Sequence, residues 1–288
     1  MRPLNTATNL FFSAHMAVWA QPIVPIHQVK AGCLDLRHPA MANGWLSSCH
    51  ADGSVNQLIN MESKTTVDLS DSSDDWVSPQ FWVGGIHGGL LIEGKLDGRY
   101  RLVEPLISPA MASDLLVVGL GASEVWIKSV MTQKIITIDA RPKPWQLPAV
   151  LDDQVAWVND DGHGGSDILI WSEMDGVTPL ATGSVWQHGV VSFEGHWAWL
   201  EPDSVVLYNV ESHTEQRIPS RVVDGLTPFE AGVCWSALND QDLDVYCSDG
   251  FVLEREGHQR WPYRSGASLI FRERNEVMKW IIPQDQTP

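Results

Sequence analysis

Ten histidines and an excess of carboxylates are the raw material for chemistry in this sequence. His38 and His188 stand at comparable points, each just before a recurring segment start. Two imidazoles at one mouth of a channel can share a metal or hold a polar ligand, though side chains lining a wet channel are the ordinary reading. Asn159-Asp160-Asp161-Gly162, with Asp167 beyond, carries enough carboxylate oxygen to cage calcium at Asp160, Asp161 and Asp167. It lacks the ligand spacing of a calcium hand, and Asp/Gly turns arise for backbone reasons alone. Asp71, Asp74 and Asp75 form a second acidic stretch, read as a solvated loop. No Gly-x-Ser-x-Gly nucleophile elbow, His-Glu-x-x-His pair or Gly-Lys-Ser/Thr phosphate loop occurs. Gly119-Leu120-Gly121-Ala122 is only a turn between strands. The sequence therefore names no catalytic residue, no cofactor and no metal beyond the calcium candidate.

Partners are bounded by charge. With 19 basic against 36 acidic residues the net charge is −17, which repels phosphate backbones and anionic headgroups and so argues against nucleic acid and membrane surfaces as partners. No stretch approaches the roughly 20 apolar residues of a membrane span. At the N-terminus, Arg2 precedes a moderately apolar run from Leu10 to Ala20, closing on Val18-Trp19-Ala20. Residues 1–20 are a candidate signal peptide or an N-terminal arm, and 21–288 a single domain. Cys234 and Cys247 flank the polar turn Asn239-Asp240-Gln241-Asp242, so a hairpin there sets the sulfurs opposite each other. Cys33 and Cys49 form the natural second pair. Two disulfides suit an oxidising compartment, periplasmic or extracellular; four buried thiols are the alternative.

The elements that must position these groups follow from a repeat. Pro39, Pro79, Pro109, Pro148 and Pro228 open similar segments, with His188-Gly189-Val190-Val191 and Arg264-Ser265-Gly266-Ala267 filling the remaining starts. After each start come short runs of β-branched and aromatic residues separated by Gly/Asp turns. The clearest unit has Pro148–Leu151, Gln154–Val158, Asp167–Trp171 and Val177–Ala181. Lone meanders of this size cannot bury both faces, so they must stack, and radial closure leaves few exposed edges. The expectation is an all-β, single β-propeller of seven blades with repeats of roughly 40 residues. Six blades is the alternative, because the second unit is short and glycine-rich. Residues 23–29 have no blade of their own and are expected to supply the outer strand of the last one.

Tryptophan is abundant, at 14 residues. Three positions before each start stand Leu36, Trp76, Leu106, Trp145, Trp186, Gly225 and Trp261. Rings at one repeat position either form an aromatic rim that binds a ligand or wedge between blades. Trp45, Trp157, Trp199, Trp235 and Phe271 lie in second strands and are expected in the core.

The segment Val155-Ala156-Trp157-Val158-Asn159-Asp160-Asp161-Gly162-His163-Gly164-Gly165-Ser166-Asp167-Ile168-Leu169-Ile170-Trp171 resembles the repeat of TolB-type propellers, where an Asp/Gly turn separates two strands and an Asp-Ile pair opens the second. The resemblance is partial in the fifth and sixth units. It implies a propeller and an envelope or extracellular setting, but not TolB's own partners. The sequence thus reads as a noncatalytic scaffold binding a protein, peptide or glycan near the axial mouth, through Trp76, Trp145, Trp186, Trp261, His38, His188 and Arg264. The alternative is a carbohydrate-active hydrolase or lyase with its site in the channel.

Overall fold

The structure is a computed structural model. It describes the strands of residues 24–112 as backbone. From residue 116 to 282 it describes backbone and side chains, except residues 122, 130, 133, 144–145, 147, 183–186, 230 and 275 and the side chains of 117, 188, 222–224 and 265. Residues 1–20 and Cys33, the expected partner of Cys49, lie outside the described residues.

Among the described residues the chain forms seven four-stranded antiparallel sheets. The first holds Met41–Ala42, Trp45–Cys49, Val55–Asn60 and Thr66–Asp68. The second holds Asp74–Val77, Phe81–Ile86, Gly89–Gly94 and Arg99–Leu102, so the glycine-rich unit is a full sheet. The third holds Ser108–Ala112, Leu116–Leu120, Glu124–Ser129 and Ile135–Asp139. The fourth holds Ala149–Leu151, Gln154–Asp160, Ser166–Ser172 and Gly176–Ala181. The fifth holds His188–Phe193, His196–Glu201, Ser204–Asn209 and Thr214–Pro219. The sixth holds Val222–Phe229, Gly232–Asn239, Asp242–Cys247 and Val252–Leu253. The seventh holds Gln259–Ser265, Ser268–Glu273 and Glu276–Ile281, and its fourth strand is Val24–Gln28 from the start of the chain.

First strands of sheets consecutive from the third to the seventh touch one another, and Met41–Ala42 of the first sheet touches Gln259–Ser265 of the seventh. Val55–Asn60 meets Asp74–Val77, and Asp74–Val77 meets Ser108–Ala112.

Second strands are buried on both faces because their side chains alternate between an aromatic directed at the preceding sheet and a smaller residue directed at the next. Trp157 packs among Leu120, Val125 and Ile127 of the third sheet. Trp197 and Trp199 pack on Ala156 and Val158 of the fourth. Trp235 fills the space beside Ala198 and Leu200 of the fifth, and Phe271 packs against Cys234 of the sixth. Each is at most 2% exposed. The second-strand expectation therefore holds for Trp157, Trp199, Trp235 and Phe271; the Trp45 side chain is outside the described residues. The fourth strand of the fifth sheet, by contrast, is almost wholly exposed.

Cys234 and Cys247 are cross-strand partners and form a disulfide with Cα atoms 4.0 Å apart. Both are buried against Phe271. Closing this loop should contribute about 2–4 kcal/mol. The double variant Cys234→Ser/Cys247→Ser is expected to lose that much in a urea titration.

Candidate functional site

The first strands are irregular at one repeated place. Gly189-Val190, Gly225-Leu226 and Trp261-Pro262 each oppose a single residue, respectively Trp199, Trp235 and Phe271. Pro109-Ala110 likewise opposes Gly119. These are β-bulges, and their first residue takes left-handed backbone at Gly189 (φ 66°), Gly225 (φ 75°) and Trp261 (φ 52°). Glycine occupies this conformation without penalty; a tryptophan there costs about 1–2 kcal/mol.

The registers correct one sequence reading. Trp261 matches Gly225, as expected, but its counterpart in the fifth sheet is Gly189, not Trp186. The recurring prolines do not share one register: Pro109 sits in a bulge, whereas Pro228 lies beyond one, paired with Val233. The signal that finds the true repeat position is the glycine preceding an aliphatic residue, Gly189-Val190 and Gly225-Leu226.

Of the other site candidates, Trp76 lies on a regular stretch paired with Val83. His188 pairs with Leu200 directly before a bulge. His38, Trp145 and Trp186 fall outside the described residues. Arg264 is 6% exposed, with its guanidinium ion-paired to Asp249 and lying 4.7 Å from the Phe229 ring centroid and 5.5 Å from that of Phe251. It ties the seventh sheet to the sixth. A hydroxyl does the same nearby, where Thr227 donates to the Pro262 carbonyl.

Trp261 is half-buried. The Arg272 guanidinium lies 4.9 Å from its ring centroid, a cation–π contact. A Cβ on Gly225 would come within 3.2 Å of Trp261 Cδ1, so the indole edge lies against the sixth sheet's bulge. Arg272 and Arg260 are direct cross-strand partners. Burial first, and Arg260 second, hold the Arg272 guanidinium below the usual arginine range. Its Nε donates to the Arg274 carbonyl at 2.8 Å. On the register position before Arg260, Gln259 is fully buried and neither amide atom has a hydrogen-bond partner.

The calcium candidate is occupied by its own loop. Asp160 Oδ2 accepts from Lys143 Nζ at 2.6 Å, and Oδ1 from the Gly162 amide at 2.7 Å. Asp161 Oδ1 accepts from the His163 and Gly165 amides at 2.7 and 2.9 Å. A Cβ at Gly165 would fall 2.3 Å from Asp161 Oδ2, so any larger residue there would displace this carboxylate. Among the described residues no three His, Cys, Asp or Glu side chains converge on a metal position. The Lys143 hydrogen bond, then the Gly162 amide, hold the Asp160 carboxyl below the usual aspartate range. A depressed pKa gives stability that is full above the unfolded-state value and is lost as pH falls through the folded one. Asp160→Asn should therefore flatten the acid limb of the stability profile, checked by thermal melts at falling pH.

An open cleft of about 820 Å³ lies beside the turn between the second and third strands of the sixth sheet, lined by Asp240, Asp242, Asp244, Glu254 and Arg255 among others. Asp244 accepts from Asn239 Nδ2 at 3.1 Å and from the Arg255 amide at 3.2 Å. Burial, then Asp244 and Glu254, push the Tyr246 phenol up.

Neither a protein-family model nor a curated protein matches the chain. Solved structures do. Virginiamycin B lyase from Staphylococcus aureus, a catalytically inactive form with quinupristin, is 10% identical with TM-score 0.58, over 83% of this chain and 91% of that one. BamB from Moraxella catarrhalis is 11% identical with TM-score 0.52, over 83% and 82%. The computationally designed Ika8 protein is 13% identical with TM-score 0.56, over 84% and 82%. Among the described residues no helix is long and apolar enough to cross a membrane. The fold is of the β-propeller type.

Proposed function

We propose that the seven sheets are the blades of one closed propeller, and that it serves as a noncatalytic scaffold binding a protein, peptide or glycan in the cell envelope or outside the cell. Closure is supported by the two chain ends sharing the seventh sheet and by the contact between the first strands of the seventh and first sheets. Export is supported by the Cys234–Cys247 disulfide; residues 1–20 then act as the signal peptide or arm. Likeness to BamB supports the architecture that such a scaffold requires.

The observation that carries the binding role is half-buried Trp261, where an energetically costly tryptophan replaces the glycine of two neighbouring bulges. Costly backbone is retained where a side chain is needed. The test is capture from an envelope fraction by wild-type protein and by Trp261→Gly, Trp145→Ala and Trp186→Ala. Loss of capture with an unchanged melting temperature is the expected result for all three. Unfolding without a specific binding loss makes a ring structural and removes it from the site.

A further inference from the structure

Each of the seven sheets ends in a fourth strand, and six of these edges are blunted. Thr66–Asp68 and Val252–Leu253 are three and two residues long. Arg99–Leu102 carries two arginines, and Thr214–Pro219 carries Glu215 and Arg217. Pro25 and Pro179 interrupt the other two, each beside a register shift. Short strands, charge, proline and bulges keep a sheet edge from pairing. Ile135–Asp139 of the third sheet is different. Its register with Glu124–Ser129 is unbroken, and it runs Ile-Ile-Thr-Ile before its one charge.

The Ser129 amide donates to the Lys134 carbonyl and the Ala140 amide to the Ser123 carbonyl, both at 3.0 Å. Bonded and unbonded pairs alternate in an antiparallel ladder. Ile135, Thr137 and Asp139 therefore turn their backbone groups away from the sheet, and among the described residues nothing receives them. The surroundings are apolar. Of six large apolar side chains exposed among the described residues, Met131, Ile135, Met174 and Val177 lie on the hairpins that end in the fourth strands of the third and fourth sheets. A Lys134–Glu173 ion pair at 3.9 Å joins the turns of those hairpins. At the other end of the strand, Asp139 stands opposite Glu124, a like-charge pair with no cation of its own among the described residues.

We propose that Ile135–Asp139 is a docking edge for an extended segment of a protein partner, which adds antiparallel as a fifth strand with Lys or Arg opposite Asp139 and β-branched residues opposite Thr137 and Ile135. Main-chain bonds give such a strand its affinity, and the paired side chains its specificity. A second copy is the wrong occupant. Two chains of charge −17 repel, and self-pairing about Thr137 would set each Asp139 against Ile135. This surface does not use Trp261, so it goes beyond the scaffold reading above and either can fail alone.

Fluorescence anisotropy with a labelled Ser-Lys-Ser-Val-Thr-Val-Ser peptide tests this. Replacing its Lys by Glu should weaken binding about fivefold, with the difference shrinking as salt rises. N-methylation of the first valine, whose amide faces Thr137, should lose about fivefold; N-methylation of the peptide's threonine, whose amide faces away, should lose nothing. Thr137→Pro should lose at least about tenfold at an unchanged melting temperature, because the amide it removes points outward and the next sheet already carries Pro179 in its edge. Asp139→Lys should reverse the preference between the Lys and Glu peptides. Equal effects of the two N-methylations, or an unreversed preference in Asp139→Lys, overturn the proposal. So does a wild-type dimer in sedimentation that Thr137→Pro abolishes, which makes a second copy the occupant.

Discussion

Trp199→Ala is expected to destabilise the protein by about 3–5 kcal/mol, the range for emptying a large aromatic from a packed core. Trp199 is 1% exposed and packs with Trp197 against Ala156, Val158 and Ile168 of the fourth sheet. The Gly189-Val190 bulge opposes it, so its neighbours are held by a fixed backbone feature and cannot readily collapse into the void. Its indole nitrogen also donates to Glu201 Oε1 at 3.3 Å, and Glu201 holds Arg217. Trp199→Phe should lose less, since the ring remains and only the Glu201 contact goes. Urea titrations of both variants measure the difference. A Trp199→Ala midpoint equal to the parent's would mean that the two sheets do not bear on each other through this ring.

Removing residues 1–28 should have an effect of comparable or greater size. Val24–Gln28 makes four partner pairs with the third strand of the seventh sheet. At about 1 kcal/mol per backbone hydrogen bond, losing this ladder costs on the order of a few kcal/mol. The truncated chain also bares the edge of Glu276–Ile281, which carries buried Met278 and Trp280, and exposed edges invite association. The expected result is a broad, early unfolding transition with aggregation on size exclusion, rescued by a synthetic peptide of residues 20–30 added in excess. A truncated protein that melts like the parent would end the closed-ring proposal.

Much of this architecture was legible in the residues, and the reasons are local. Val155-Ala156-Trp157-Val158 and His196-Trp197-Ala198-Trp199-Leu200 alternate small and aromatic residues, which only a strand buried on both faces can use. Asp/Gly turns mark the strand ends, and Cys234 and Cys247 sit where one hairpin register must join them. The site was less legible. Prolines at 109 and 228 look equivalent, yet a bulge shifts one against the other, and no sequence period reveals a residue whose only mark is its backbone angle. Trp261 was singled out for its ring, but its distinction lies in standing where Gly189 and Gly225 stand. Arg264 was placed near the mouth because it opens the seventh unit; in the structure Asp249, fifteen residues upstream, pairs with its guanidinium. Asp160 and Asp161 left both a turn and a calcium site open, because carboxylates that bind backbone amides and carboxylates that bind calcium have the same composition.

A sheet assembled from Val24–Gln28 and Glu276–Ile281 also fixes when the molecule can be finished. Bringing together segments about 250 residues apart costs roughly 3 kcal/mol more chain entropy than closing a hairpin of about ten, on logarithmic scaling. The earlier six units can form as each emerges from the ribosome or crosses a membrane, but the last strand position waits for the final third of the seventh. Until then the leading segment has no seat. Its docking should be the slow, late event of maturation, and the point at which a chaperone or a competing strand has most influence on the outcome.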